Sequence, residues 1–146
     1  MKTIKEIISK PSEALQAMVD GLKTQSKRKD FKIRMHTFGE TNGDICFGCA
    51  ATCTVQQLTG INLTDTNIYL FQHSKVLNIE KRDIEKFEIA IDGTRKGYLR
   101  KLFGYFGIEI PEKYYKRQNF YLGTITWKEE LPIVNKLIEE LKEQGF

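Results

Sequence analysis

The sequence predicts a helix-rich α+β fold, a single compact domain with about five helices and two or three short strands. The chain has 146 residues, the usual size of one domain, and residues 1–146 contain neither a linker nor an internal repeat. Its apolar residues recur mainly at the three- and four-residue spacing of amphipathic helices, and only short stretches alternate. The hydrophobic fraction of 40% and the charged fraction of 29% are typical of a globular protein.

The first half of the chain predicts two helices separated by a strand and a loop. A helix begins at 11–13, with Ser12 as its cap, and continues as one apolar stripe. Alternation of apolar and polar residues over 31–36 predicts a half-buried strand. Residues 38–44 contain two glycines and an Asn-Gly pair, which predict a loop. Small residues over 48–58 then favour a second helix.

The second half predicts three further helices and one ambiguous segment. Residues 64–71 fit either a capped helix or a buried strand, because a short apolar run does not distinguish them. Helical spacing predicts helices over 83–91 and 94–106. Weak alternation over 121–127 predicts a short strand. A last helix is expected from about residue 130, with its proline in the first turn.

Charge and composition indicate the cellular location of the protein and the partners that its charge permits. The chain has 23 Lys and Arg against 19 Asp and Glu, and this net charge of +4 permits anionic partners without requiring them. No apolar run is long enough for a membrane span, and residues 1–8 lack the core of a signal peptide. An odd number of cysteines in such a chain predicts reduced thiols. We therefore expect a cytoplasmic protein without membrane association.

The three cysteines, Cys46, Cys49 and Cys53, fall within eight positions. A loop rich in turn residues leads into Cys49 at a predicted helix start, where unpaired N–H groups and the helix dipole lower the pKa of a thiol. This junction, Cys49-Ala50-Ala51-Thr52, resembles that of papain-like enzymes, which place their cysteine at a helix start after a glycine-rich loop. The resemblance implies a hydrolase or transferase with Cys49 or Cys46 as nucleophile and His73, in the papain-like order, as base.

Other interpretations of the cysteine cluster need no catalysis. With His36 or His73, the three thiols could complete a zinc site, but the chain lacks the second separated pair that closed zinc sites use. Cys46 and Cys49 form a Cys-x-x-Cys pair, which suits thiol redox chemistry. Free cysteine also packs as a small buried hydrophobe beside alanines. We favour this packing role, and we expect no metal and no cofactor.

Two stretches of the sequence combine cations with aromatic residues. Cations bind phosphates and aromatic faces stack on bases, while tyrosine and arginine also dominate the binding energy of protein interfaces. A solvated face with core aromatics would have the same composition. The residues that we expect to bind a partner are Lys27, Arg28, Lys29, Arg34, Lys113, Tyr114, Tyr115, Lys116 and Arg117.

The sequence accordingly favours, over an enzyme, a small intracellular binding or regulatory protein that acts on a protein partner through this basic, aromatic-bearing surface. Two alternatives stay open. One is the cysteine-dependent, papain-like hydrolase or transferase. The other is a nucleic-acid-binding protein that uses residues 23–34 and 113–121.

Overall fold

The computed structural model describes residues 1–64, 73–91, 98–115 and 120–146. Within them the helices are α1 (Pro11–Ser26), α2 (Ala50–Thr59), α3 (His73–Leu77), α4 (Lys81–Ile91), α5 (Tyr98–Tyr105) and α6 (Trp127–Glu143). The strands are β1 (Phe31–Ile33), β2 (Glu40–Asn42) and β3 (Ile45–Gly48), and 3₁₀ turns occupy Ile4–Glu6 and Glu112–Tyr114. The helix-rich α+β prediction is confirmed.

The three strands form one small sheet in the order β1-β3-β2. The central strand β3 runs parallel to β1 and antiparallel to β2, with Cys46 opposite both Phe31 and Thr41. Only Gly43 and Asp44 separate β2 from β3, and Gly43 has the left-handed φ of 64° that glycine accepts readily. The predicted loop over 38–44 was therefore wrong for its second half, which is a strand and a hairpin turn.

The helix α2 lies at the centre of the domain. Its first seven residues, Ala50–Gln56, are all buried, and it packs most extensively against α1. At this crossing a Cβ on Gly21 would overlap the carbonyl oxygen of Cys53 and would lie 2.8 Å from its carbonyl carbon. The two helix backbones approach this closely because the residues between them are small.

Two predicted helix starts differ from the structure. The N-cap of α1 is Lys10, so Ser12 is not the cap, and its backbone N–H instead donates to the carbonyl of Phe146 at 3.1 Å. The predicted strand at 121–127 was wrong, because Leu122 and Gly123 are both buried and the pattern does not alternate. Trp127 instead begins α6, which places Pro132 inside the helix and not in its first turn.

One hydrophobic core connects the described helices with the sheet, and all three cysteines belong to it. Among the described residues, no helix has both the length and the apolar character that crossing a bilayer needs. The ambiguous segment 64–71 lies outside the described residues except for Thr64, which has no regular structure.

Candidate functional site

The structure distributes the three cysteines over a strand, a junction and a helix. Cys46 lies in β3, Cys49 is the N-cap of α2 and Cys53 lies within α2. All three are free thiols and buried, with exposed fractions of 0%, 3% and 0%. In the part of the chain that the structure describes, no cluster of three or more His, Cys, Asp or Glu side chains is arranged to hold a metal ion.

The environment of the thiols favours their protonated form. Burial raises the pKa of Cys49 and outweighs the opposing effect of its hydrogen bonds, including the one between Cys49 Sγ and Thr52 Oγ1 at 3.6 Å. Burial, followed by the neighbouring Cys49, also raises the pKa of Cys53. A nucleophilic cysteine needs the opposite shift, since the thiolate is the reactive species.

His73 is the first residue of α3 and packs against the segment that precedes β2. Its ring stacks edge-on against Phe38 at 5.4 Å between centroids, and a Cβ on Gly39 would lie 2.6 Å from its Nε2. This Nε2 is buried without a hydrogen-bond partner in the described structure, and burial lowers the pKa of His73. Cys49 Sγ has a polar contact with Thr52 Oγ1, and a catalytic role for Cys46, Cys49 and His73 stays a prediction.

The thiols should be unreactive in the folded protein. Because all three are buried and the pKa values of Cys49 and Cys53 are raised, we expect an aromatic disulfide reagent at pH 7 to label them at least about a thousandfold more slowly than in denaturant. Absorbance of the released thiolate measures the rate, and Lys136→Cys supplies an exposed thiol as a fast-reacting reference. A native cysteine that reacts as fast as this reference would revive the enzyme alternative.

Arg28, expected at a binding surface, is instead the centre of a polar network. Its side chain is only 14% exposed and contacts the ring of Phe31, with 5.2 Å from Cζ to the ring centroid. The guanidinium makes five hydrogen bonds: two to the carboxylate of Asp30, and one each to Gln25 Oε1, Gln56 Oε1 and the Leu63 carbonyl. All of its N–H donors are thus used, and none remains for a partner.

The other cations of this stretch are exposed. Lys27 and Lys29 are exposed, and so are Lys32 on β1 and Arg34 directly after it. The guanidinium of Arg34 lies 3.9 Å above the ring of Phe47 and forms a 3.5 Å ion pair with Glu40. An exposed ion pair of this kind contributes little to stability, so Arg34 can exchange it for another carboxylate.

The second predicted stretch is only partly at the surface. Tyr114 is 5% exposed and packs against Phe103, whereas Tyr115 is 45% exposed and lies under the guanidinium of Arg100 at 4.6 Å. Lys113 is exposed, with its Nζ 5.2 Å from the Tyr114 ring. Lys116 and Arg117 lie outside the described residues.

A hydrogen bond between distant parts of the chain creates a surface that sequence reasoning missed. The backbone N–H of Met35, just after β1, donates to Thr124 Oγ1 at 3.0 Å. The loop that precedes α6 therefore lies beside the end of the basic strand. This loop carries Tyr121, 55% exposed, and Ile125, 91% exposed. Ile125 was missed because weak alternation in this segment indicated a strand, which would have buried alternate side chains.

Comparison with known proteins adds nothing to these observations, because no protein family, no curated protein and no solved structure matches the chain. The residues and their geometry alone carry the functional interpretation.

Proposed function

We propose that this chain is a binding protein that contacts an acidic patch of a protein partner. Its contact surface, called the β1 surface below, consists of Lys32 on β1 and Arg34 directly after it, with Tyr121 and Ile125 on the adjacent loop. The observation that supports the proposal is the Met35–Thr124 hydrogen bond, which places the loop that carries the exposed Tyr121 and Ile125 next to the residue that follows Arg34.

The composition of the β1 surface suits a protein interface. Lys32 is paired with Phe47 in the sheet, and the guanidinium of Arg34, which directly follows β1, lies over the Phe47 ring, so both cations are on the same side of the sheet. Interfaces combine tyrosine, arginine and apolar anchors in their centre with charged groups that guide association. Ile125 supplies an aliphatic side chain that can be buried in a protein interface. Proteins that bind single-stranded nucleic acid rely instead on aromatic rings, on which the bases stack.

The remaining observations weigh against the alternatives. Arg28 and Tyr114 are occupied inside the fold, which interrupts the continuous strip of cations and aromatic rings that single-stranded nucleic acid would need. The buried thiols with raised pKa disfavour a cysteine-dependent enzyme. Three free cysteines suit a reducing compartment, and we therefore place the binding role in the cytoplasm.

Site-specific photocrosslinking in the cells that make the protein tests this proposal. A benzophenone amino acid at Tyr121 should capture one discrete protein adduct that survives nuclease treatment. Adding Arg34→Glu should reduce the yield about tenfold, because it places like charges across the interface. The matched controls are the crosslinker at Lys136, which is exposed on α6, and the charge reversal Lys136→Glu.

Each of three other results would overturn the proposal. A nuclease-sensitive adduct would identify a nucleic acid partner. No discrete adduct at Tyr121 would remove the β1 surface as a contact. An adduct whose yield is the same with Arg34→Glu and with Lys136→Glu would remove the charge complementarity.

A further inference from the structure

A cleft of about 400 Å³ lies between α4 and α5, next to the 3₁₀ turn Ile4–Glu6. It shares no residue with the β1 surface. Both helices present the same arrangement to it: Lys86 on α4 is followed three and four positions later by Ile89 and Ala90, and Lys101 on α5 by Gly104 and Tyr105. Residues at this spacing share one helix face, so each lysine stands beside an apolar or small floor.

The charge of the cleft is positive. Lys5 from the 3₁₀ turn joins Lys86 and Lys101, and none of the three ammonium groups forms an ion pair within the described part of the chain. The carboxylate in the lining belongs to Asp83, which is 7% exposed. It accepts the backbone N–H of Ile4 at 2.6 Å and the hydroxyl of Tyr105 at 2.9 Å, so it faces the protein and leaves the lysines uncompensated.

The walls of the cleft are preformed. The Tyr105 ring packs edge-on against Phe87 at 5.3 Å and against Phe106 at 5.1 Å, and its hydroxyl is held by Asp83. Burial and the Asp83 carboxylate raise the pKa of Tyr105, which keeps this wall neutral. In the same lining, the side chain of Ile89 is 64% exposed, and a Cβ on Gly104 would meet nothing within 4 Å. The floor therefore has room for an apolar group.

We propose that this cleft binds a small anionic molecule in which a phosphate, carboxylate or sulfonate is joined to an apolar or aromatic body. The three lysines would contact the anion, and the body would lie over Ile89 and Gly104 beside the Tyr105 ring. The volume falls within the range of small-molecule sites, and such sites combine an apolar lining with a few convergent charges. Asp83, the acid among the described lining residues, is engaged by the Ile4 N–H and the Tyr105 hydroxyl.

Fluorescence titration of the full chain with an anilinonaphthalene sulfonate tests this site, because the probe carries both required parts. Wild type should bind one equivalent saturably. The double variant Lys86→Gln, Lys101→Gln should weaken binding at least about tenfold, and Gly104→Leu should abolish it by filling the floor. Gly104 projects into open space, so this variant should keep its fold, which circular dichroism verifies. Lys136→Gln, an exposed lysine outside the cleft, is the control and should bind as wild type.

Two results would contradict the proposed binding site. Probe binding that is unchanged in both the lysine and the Gly104 variants would place the probe elsewhere and overturn the proposal. So would binding of a polyglutamate peptide without binding of the probe, since this would make the cleft a contact for an acidic protein segment.

Discussion

Gly21→Ala should lower the free energy of unfolding by about 3 kcal/mol, the upper part of the range for overpacking a core. The added Cβ would overlap the Cys53 carbonyl oxygen and would lie 3.3 Å from Gln57 Cβ, so it would force α1 away from α2. The two closest atoms are the backbone carbonyl oxygen and carbon of Cys53, in the buried part of α2, and they cannot rotate away as a side chain would.

A matched control exists in the same chain. Gly104 is also helical, but a Cβ there meets nothing within 4 Å, so Gly104→Ala should stabilise the protein by up to about 1 kcal/mol through helix propensity. Urea denaturation of both variants, followed by circular dichroism, measures the difference. A Gly21→Ala variant as stable as wild type would show that the two helices are not in such close contact.

Arg28→Lys should lower the free energy of unfolding by about 3 kcal/mol although it conserves the charge. An ammonium group cannot reproduce the planar fork that reaches Asp30, two glutamines and the Leu63 carbonyl together. Gln56 Oε1 would keep its bond from the Leu63 N–H at 2.8 Å, but the Leu63 carbonyl would lose its partner. The variant thus leaves partly buried acceptors unsatisfied.

The neighbouring lysine provides the comparison for this effect. Lys27 is exposed, so Lys27→Gln should change the free energy of unfolding by less than about 0.5 kcal/mol. The urea midpoint of each variant, at constant slope, gives the two values. If Arg28→Lys and Lys27→Gln had equal midpoints, the network around Arg28 would contribute nothing to stability.

The sequence predicted the helices better than the sheet, because their apolar stripes extend over several turns. The helix α4 shows this, with Ile84, Phe87 and Ile91 buried at helical spacing. The strands β2 and β3 have three and four residues, too few for an alternating pattern to stand out. The Asn42-Gly43 pair is the signal for their hairpin, but the same pair is also typical of a loop.

The sequence predicted which residue types form the candidate surface, but not which individual residues are exposed. Arg28 and Arg34 look alike in the sequence, yet Arg28 lies in a network and Arg34 is exposed, because two of the partners of Arg28, Gln56 and Leu63, lie 28 and 35 positions away. Tyr114 and Tyr115 are adjacent, and which of them is buried depends on the position of Phe103. Such distinctions come from tertiary contacts that no local pattern encodes.

The short segment from Phe31 to Arg34 contributes one side chain to the core and two cations to the surface. Its inward residue, Phe31, is fixed between the guanidinium of Arg28 and Gly48, where a Cβ would lie 2.8 Å from the Phe31 ring. The exposed cations Lys32, on β1, and Arg34, directly after it, have no part in that packing. Evolution can therefore exchange the outward side chains to suit a different partner while the interior that supports them stays unchanged.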